Sequence, residues 1–234
     1  LPCEMGFRCP GGVDHIECPP GYYQNSNSST TCLSCEAGTY QPFAAQINCL
    51  PCIQGYFCTI SSTQPIACGS TALFCPANSS TVTAVTAGYY TLPDTSEAAL
   101  KRELQEICPL GYACNGGIKI RCEGEGEYSD IAGLKACKLA PPGTTPSLSR
   151  TGIQNCLPGT FSIGGQSECS TCDSNKFSLE RAAGCTFCTS CGVGKYIKSV
   201  CTTSSDSKCD ICEAGKSSFG GSTSCTDCTN PGEY

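Results

Sequence analysis

The residues of this chain that are best suited to chemistry are its cysteines, which number 25 among 234 residues. Many stand in Cys-x-x-Cys pairs, a spacing that suits three roles: two ligands of a zinc ion, a redox-active dithiol, or the junction between two disulfide-closed loops. The pairs are Cys32/Cys35, Cys49/Cys52, Cys169/Cys172, Cys185/Cys188, Cys188/Cys191, Cys209/Cys212 and Cys225/Cys228.

Disulfides are the favoured role. Cys32/Cys35 and Cys49/Cys52 do have the spacing of a zinc ribbon, but a zinc site requires reduced thiolates, and the sequence has few basic residues to stabilise them. The pairs also recur as junctions, and none lies in the βαβ pattern of a thioredoxin-like enzyme. We therefore expect oxidised cysteines, with no metal and no cofactor.

The composition explains why covalent closure is needed. Ile, Leu, Val and Phe together make up about 17% of the chain, which is below the roughly 20% expected of a protein with a packed core. A disulfide that closes a loop of about 15 residues contributes on the order of 3 kcal/mol by restricting the unfolded chain. Such cross-links persist in oxidising compartments, so the sequence predicts an extracellular protein.

Other functional classes find little support. His15 is the only histidine, and it stands in a loop without a nucleophile signature, which disfavours a Ser/His or Cys/His hydrolase. Glu123, Glu125 and Glu127 form the one acidic cluster, which we interpret as a solvated loop because no EF-hand pattern accompanies it. A net charge of −6 with 14 Lys plus Arg argues against nucleic-acid binding. We expect no catalytic residues and no enzyme activity.

Glycosylation fits the same compartment. Asn27-Ser28-Ser29 and Asn78-Ser79-Ser80 are acceptor sequons for N-linked sugar. We expect both Asn27 and Asn78 to lie in surface loops, and Thr144-Thr145-Pro146-Ser147 to be the favoured patch for O-linked sugar.

The spacing of the cysteines predicts small disulfide-rich repeats. A unit reading Cys-x-x-Gly-x-aromatic recurs with a closing cysteine about a dozen residues later, which indicates an elongated array of short β-hairpin and loop modules with one short α-helix. We divide the chain into cysteine-rich repeats at 1–75, a cysteine-free insert at 76–107, a repeat of the N-terminal unit at 108–137, a linker rich in Pro, Ser and Thr at 138–155, and tighter repeats at 156–234.

The insert provides the helix, at about residues 95–107. Asp94 and Glu97 have capping-box spacing, and Leu100, Leu104 and Ile107 form one apolar stripe. At about 13 residues such a helix is marginal alone, so it must pack on neighbouring modules or on another subunit.

Two details concern backbone and chain ends. Asn175 replaces the glycine of one module opening, which predicts a positive φ there. Cys228 is followed by Thr-Asn-Pro-Gly232-Glu-Tyr234, which resembles another module opening. We expect its partner outside this segment of a longer protein, and no apolar run long enough to span a membrane is present.

The Cys-x-x-Gly-Thr-Tyr modules resemble the ephrin-receptor-like cysteine-rich repeats of extracellular proteins, over most of the chain except 76–107 and 138–155. Residues 172–209, with Gly194-Lys-Tyr196 and with Asp206 before Cys209, are similar to one cysteine-rich domain of the tumour-necrosis-factor receptor family. These resemblances imply a set of disulfides. The pairs are Cys172–Cys185, Cys188–Cys201 and Cys191–Cys209 in the receptor-like module, Cys18–Cys32, Cys35–Cys49, Cys122–Cys137, Cys156–Cys169 and Cys212–Cys225 in the simple modules, and Cys3–Cys9, Cys108–Cys114, Cys52–Cys68 and Cys58–Cys75 elsewhere. The four-cysteine units could instead interleave, with Cys3 joined to Cys18.

The sequence thus favours a non-enzymatic extracellular structural repeat protein, a segment of a longer glycosylated rod or fibre. A cell-surface coat, a stalk or a filament such as a protist flagellar hair (mastigoneme type) would suit it. The partners would be further copies or other surface proteins, together with N-linked and O-linked glycans. One alternative is a receptor ectodomain that binds a protein ligand, and another is the accessory repeat region of a secreted enzyme.

Overall fold

The computed structural model describes residues 3–12 and 14–228, which form thirteen two-stranded antiparallel sheets and almost no helix. Within that part of the chain the helical structure is one short 3-10 turn at Pro10–Gly12. The expectation of a disulfide-rich array of short β-hairpin modules is therefore confirmed.

Each sheet is a hairpin of two strands that are consecutive in the sequence. In the first half of the chain the pairs are β1 (Phe7–Arg8) with β2 (Ile16–Glu17), β3 (Tyr22–Tyr23) with β4 (Leu33–Ser34), β5 (Thr39–Tyr40) with β6 (Leu50–Pro51), β7 (Tyr56–Phe57) with β8 (Ile66–Ala67), β9 (Leu73–Phe74) with β10 (Thr83–Ala84), β11 (Tyr89–Leu92) with β12 (Leu104–Ile107) and β13 (Tyr112–Asn115) with β14 (Ile118–Arg121). In the second half they are β15 (Glu127–Tyr128) with β16 (Lys138–Leu139), β17 (Thr144–Pro146) with β18 (Ile153–Asn155), β19 (Thr160–Phe161) with β20 (Ser170–Thr171), β21 (Lys176–Phe177) with β22 (Thr186–Phe187), β23 (Lys195–Ser199) with β24 (Lys208–Ile211) and β25 (Lys216–Ser217) with β26 (Thr226–Asp227).

The glycine of each opening has a conformational role. Gly38, which precedes β5, has φ +91°, and a Cβ atom there would lie 2.5 Å from the carbonyl oxygen of Asn78. Both the backbone angle and the close approach exclude a larger residue. The predicted positive φ of Asn175 is confirmed at 65°, and Asn tolerates that region better than most residues.

Consecutive hairpins within a unit are joined by a recurring set of backbone hydrogen bonds. Between the β5–β6 and β7–β8 hairpins they are Gly38 N–H to Cys58 C=O (2.8 Å), Gln41 N–H to Ser62 C=O (3.0 Å) and Ser61 N–H to Cys35 C=O (2.9 Å). Between the β19–β20 and β21–β22 hairpins the equivalent bonds are Gly159 N–H to Ser178 C=O (3.0 Å), Ser162 N–H to Ala182 C=O (3.2 Å) and Arg181 N–H to Cys156 C=O (2.8 Å). We call this arrangement the backbone ladder. It provides hydrogen-bond partners for backbone N–H and C=O groups that remain unpaired in a two-stranded hairpin.

The chain divides into two compact units. The first contains Leu1–Ile120 and Ala132–Ala136, and the second contains Arg121–Ile131 and Cys137–Tyr234. Large apolar side chains contribute little to the core, whose buried apolar members are mainly cysteines.

The predicted helix at about 95–107 is wrong. Leu104–Ile107 forms strand β12 and pairs with Tyr89–Leu92, while Leu100, Leu104 and Ile107 are all exposed. A helix of this length is marginal without tertiary support. Backbone pairing provides competing partners instead. Cys75 N–H donates to Arg102 C=O in the ladder, and Glu103 N–H donates to Leu92 C=O within the β11–β12 hairpin.

The predicted linker at 138–155 is also wrong, because Thr144–Pro146 pairs with Ile153–Asn155 as a hairpin. Gly143 N–H donates to Ser162 C=O of the next hairpin at 2.7 Å, and this bond is equivalent to those of Gly38 and Gly159. The opening that lacks its cysteine therefore still makes a module, since the ladder bonds involve backbone atoms alone.

Candidate functional site

The cysteines form twelve disulfides in the described part of the chain. Ten of the twelve implied pairs are observed, including all eight of the simple modules and the receptor-like module. The observed pairs that coincide with the implied ones are Cys3–Cys9, Cys18–Cys32, Cys35–Cys49, Cys108–Cys114, Cys122–Cys137, Cys156–Cys169, Cys172–Cys185, Cys188–Cys201, Cys191–Cys209 and Cys212–Cys225.

The other two implied pairs are wrong. Cys52 is joined to Cys58 and Cys68 to Cys75, rather than Cys52 to Cys68 and Cys58 to Cys75. Cys52 and Cys58 are six residues apart, the same separation as in the Cys3–Cys9 bridge. Both short bridges therefore close on their own module openings.

The β23–β24 hairpin is the only described hairpin that carries two long-range bridges, Cys188–Cys201 and Cys191–Cys209. Its strands are longer than those of most other modules, and their register shifts between Ile197 and Ser199. Cys191 is 1% exposed, whereas Cys188 and Cys201 are both partly accessible. Cys209 is also partly accessible, so Cys191 is the one buried cysteine of these two bridges.

Asp206 orders the loop of this hairpin. Its carboxylate accepts hydrogen bonds from the Thr189 hydroxyl (2.5 Å), the Thr189 backbone N–H (2.6 Å) and the Ser207 backbone N–H (2.7 Å). These donors, the Thr189 hydroxyl first, lower the pKa of Asp206 below its usual value.

Metal binding finds no support at this loop. Among the described residues, the group whose potential ligand atoms lie close together is Cys188, Cys201 and Asp206. Cys188 and Cys201 are bonded to each other, so neither offers the thiolate that a zinc site requires.

A polar cluster that the sequence analysis missed surrounds the β11–β12 hairpin. Lys119 Nζ lies 3.0 Å from Asp94 Oδ2 and 4.3 Å from the centroid of the Tyr90 ring. The Tyr90 hydroxyl donates to Glu106 Oε2 at 2.8 Å. This bond, followed by burial, raises the pKa of Tyr90, and the hydrogen bond from Lys119 lowers the pKa of Asp94.

Arg102 is the buried member of this region, with 5% of its surface exposed. Its Nη1 donates to Thr91 C=O at 3.5 Å, and Nε has no partner among the described residues. Burial lowers the pKa of the guanidinium, and the charge of Asp94 acts in the opposite direction. The sequence pattern places Asp94 at the cap of the predicted helix and Arg102 within that helix. It does not indicate their convergence, because the contacts come from strand pairing.

The two sequons differ from the O-glycan patch in accessibility. Asn27 and Asn78 are both exposed, so their side chains are accessible to carry sugar. Thr144 and Thr145 are 0% and 1% exposed. The proposed O-linked patch is therefore wrong at these two threonines, which are buried in β17.

The remaining candidate residues lie in separate parts of the chain. His15 is exposed and its ring centroid lies 6.1 Å from that of Phe7. In the acidic loop, Glu127 Oε2 accepts a hydrogen bond from Gly124 N–H (3.0 Å), so it is used within its own turn. Cys228 has no disulfide partner in the part of the chain that the structure describes. The module opening expected at 229–234 lies outside the described residues.

Within residues 3–12 and 14–228, no helix has the length and apolar character needed to cross a membrane.

A match to a known protein family covers the β21–β22 and β23–β24 hairpins. Residues 172–209 match the TNFR/NGFR cysteine-rich region. The match covers the three bridges Cys172–Cys185, Cys188–Cys201 and Cys191–Cys209. Comparison with curated proteins gives no match to the chain. This cysteine-rich domain and the twelve disulfides indicate an extracellular or secreted protein.

Proposed function

We propose that this chain is a non-enzymatic structural segment of an extracellular repeat protein, which carries glycans and forms part of a surface coat, stalk or filament. The modules outside 172–209 are assigned to the ephrin-receptor-like type. Filaments of the mastigoneme type are one assembly that such modules would suit.

The backbone ladder is the observation that carries this proposal. The junctions use main-chain donors and acceptors, and equivalent bonds recur between modules of different sequence. Because a backbone contact tolerates sequence variation, an array of this kind can be lengthened by adding modules. Resistance to unfolding follows from the disulfide inside most hairpins and from the hydrogen bonds between them.

A receptor ectodomain is the second candidate, and it is favoured by the match of residues 172–209 to the TNFR/NGFR cysteine-rich region. As a receptor ectodomain, the chain would bind a protein ligand through the β21–β22 and β23–β24 hairpins. Exposed side chains there include Leu179, Phe187 and Val200.

Electron microscopy of native material, in negative stain, tests the structural proposal. Regular filaments or an ordered coat that antibodies against this chain decorate would support it. Dispersed single molecules, with a ligand that the Phe187→Ala variant no longer binds, would replace it with the receptor function. Tyr22→Ala, a change of an aromatic residue in the other unit, is the control for the binding measurement.

A further inference from the structure

A long part of the first unit carries no charge. From residue 37 to residue 93, a run of 57 residues, the sequence has no Asp, Glu, Lys, Arg or His. We call residues 37–93 the uncharged segment. Six large apolar side chains are nevertheless exposed in it. They are Phe43 (66%), Ile47 (45%), Leu50 (43%), Ile53 (51%), Ile60 (67%) and Ile66 (48%).

These side chains belong to two consecutive hairpins of the ladder, β5–β6 and β7–β8. Leu50 pairs across its hairpin with Tyr40, and Ile66 pairs in the equivalent position with Phe57. Residues paired in this way lie on the same face of a two-stranded sheet, so each hairpin presents an aliphatic and an aromatic side chain together.

Charged groups border this surface on one side. Lys101 Nζ lies 5.4 Å from the centroid of the Tyr56 ring, and Gln54 Nε2 donates to Glu103 Oε2 at 2.7 Å. The neighbouring β11–β12 hairpin supplies both charges, which mark the limit of the uncharged surface.

The second unit also exposes large apolar side chains, but charged residues stand between them in the sequence. They include Ile131, Leu148, Ile163, Leu179 and Phe219. The longest run without a charged residue in this unit is 17 residues, from 151 to 167. Single exposed apolar residues among charges are ordinary on a protein surface, whereas a larger uncharged apolar surface marks an interaction site.

We propose that the uncharged segment is the surface on which a second copy of this chain docks, through the exposed side chains of the β5–β6 and β7–β8 hairpins. The chain carries a net charge of −6, so the net electrostatic force between two copies is repulsive. In a symmetric dimer the same surface of both copies forms the contact, so a charged residue near the two-fold axis lies opposite the identical charge of the other copy. The uncharged segment avoids that penalty.

The same absence of charge disfavours a partner recruited by electrostatics. A partner of complementary charge leaves charged residues on both surfaces, and it binds more weakly at high salt. The uncharged segment offers no such residues over 57 positions. This inference rests on the structural function proposed above and names its contact surface.

Sedimentation velocity of the secreted chain, with its disulfides and glycans intact, tests the inference over a range of concentrations. Ile60→Lys and Ile163→Lys form a matched pair, because both isoleucines are 67% exposed and only Ile60 lies in the uncharged segment. We expect reversible self-association that Ile60→Lys weakens by about tenfold or more, since a charge in an interface core is poorly tolerated. Ile163→Lys should change the dissociation constant less than about twofold, as expected of a residue outside the contact.

Two further measurements keep the test decisive. Phe43→Lys, at a side chain 66% exposed, should reproduce the effect of Ile60→Lys, and circular dichroism checks that both variants are folded. Raising the salt concentration should leave the association intact or strengthen it, because salt screens the repulsion between the two negative chains.

Several results would overturn the inference: a wild-type chain that stays monomeric, an association that Ile163→Lys weakens as much as Ile60→Lys, or one that dissociates at high salt. Binding of a monomeric wild-type chain to neutral phosphatidylcholine vesicles would assign the surface to lipid instead. If native filaments are seen but Ile60→Lys has no effect, the structural function stands and only this surface is wrong. If Ile60→Lys dissociates a dimer but native material shows no filament or coat, the surface stands and the structural function fails.

Discussion

The β5–β6 hairpin and the cysteine-free β17–β18 hairpin occupy equivalent places in the backbone ladder, but only the first is closed by a disulfide. Cys35 begins the first hairpin, and Ala140 takes the same place in the second. Ser61 N–H donates to Cys35 C=O at 2.9 Å, and Gly165 N–H donates to Ala140 C=O at 2.8 Å. The ladder bonds are therefore the same with and without the bridge.

The β11–β12 hairpin shows a third way to close a module. Val85 and Gln105 stand where a bridged hairpin has its two cysteines. The Gln105 side chain accepts a hydrogen bond from Thr86 N–H (2.7 Å) and donates one to the Thr86 hydroxyl (2.9 Å). Side-chain hydrogen bonds next to the first cysteine position thus link the two strands of the hairpin.

Both cysteine-free hairpins contain a buried threonine. Thr91 of β11 and Thr144 of β17 are both 0% exposed. The Thr91 hydroxyl donates to Thr71 C=O at 2.6 Å, and the Thr144 hydroxyl donates to Pro141 C=O at 2.7 Å. The comparison teaches that the backbone ladder defines a module, whereas the disulfide adds stability to it.

The largest expected effect comes from removing a bridge. Replacing Cys35 and Cys49 together by serine opens a loop with a sequence separation of 14, and we expect the free energy of unfolding to fall by about 3 kcal/mol. Guanidinium denaturation followed by circular dichroism measures it. A loss below about 0.5 kcal/mol would mean that the ladder alone holds this hairpin.

A ladder contact can be broken without touching a bridge. Gly38→Ala adds a Cβ atom 2.5 Å from Asn78 C=O at a φ of +91°, whereas Gly194→Ala at φ +76° meets nothing within 4 Å. We expect a loss of about 2 to 3 kcal/mol for Gly38→Ala and about 1 kcal/mol for Gly194→Ala, which has the backbone strain alone. Equal losses of stability for the two variants in thermal unfolding would show that the close approach of Gly38 to Asn78 C=O contributes nothing.

A bridge can also be added where the structure lacks one. Ala140→Cys with Ile153→Cys places thiols in the two cysteine positions of the β17–β18 hairpin, and we expect a disulfide that stabilises the protein by about 2 kcal/mol. Thiol titration and peptide mapping detect it. Ala140→Cys with Gln154→Cys is the control, because neighbouring strand residues point to opposite faces. Equal bridge formation in both variants would contradict the equivalence of the positions.

The substitute hydrogen bonds are expected to have a smaller effect. Gln105→Ala removes both bonds to Thr86, and we expect a loss of about 1 kcal/mol. Thermal unfolding of Gln46→Ala, which loses one local bond to Ala44 C=O, gives the comparison. No loss in Gln105→Ala would show that the ladder needs no further closure in this hairpin.

The smallest expected effect depends on pH. Because Lys119 lowers the pKa of Asp94 in the folded protein, the ion pair stabilises the fold above the unfolded pKa of about 3.9. This stabilisation is lost as the pH falls through the lower, folded pKa, and it amounts to a few tenths of a kcal/mol for a solvent-accessible pair. Asp94→Asn should make the melting temperature depend less steeply on pH between pH 5 and pH 2, as measured by calorimetry. An unchanged pH dependence would contradict the stabilising role of the Asp94–Lys119 pair.

The sequence predicts the hairpins and most bridges because both are local: a Cys-x-x-Gly-x-aromatic opening and its closing cysteine lie within one loop. The positive φ of Asn175 follows from the same local pattern. The Cys52–Cys58 bridge could also be predicted from the sequence, because it repeats the spacing of Cys3–Cys9.

What the sequence does not predict is non-local. Leu104–Ile107 has a helical pattern but pairs with Tyr89–Leu92, and its neighbour Arg102 accepts a ladder bond from Cys75. The hairpin at 144–155 lacks cysteines, so only its backbone contacts identify it. At the candidate site, the cysteine spacing of 172–209 indicates the receptor-like module, whereas the hydrogen bonds of Asp206 to Thr189 have no sequence signature.

Amide hydrogen exchange, followed by NMR, tests the central claim that the ladder continues through the cysteine-free hairpins. The amides to compare are Thr91 N–H, which donates to Gly117 C=O, Gly143 N–H, which donates to Ser162 C=O, and Gly38 N–H, which donates to Cys58 C=O beside a bridge. The account predicts strong protection of all three. Rapid exchange of Thr91 and Gly143, at the rate of the 98% exposed loop residue Leu148, would contradict it and would make the disulfide the defining feature of a module.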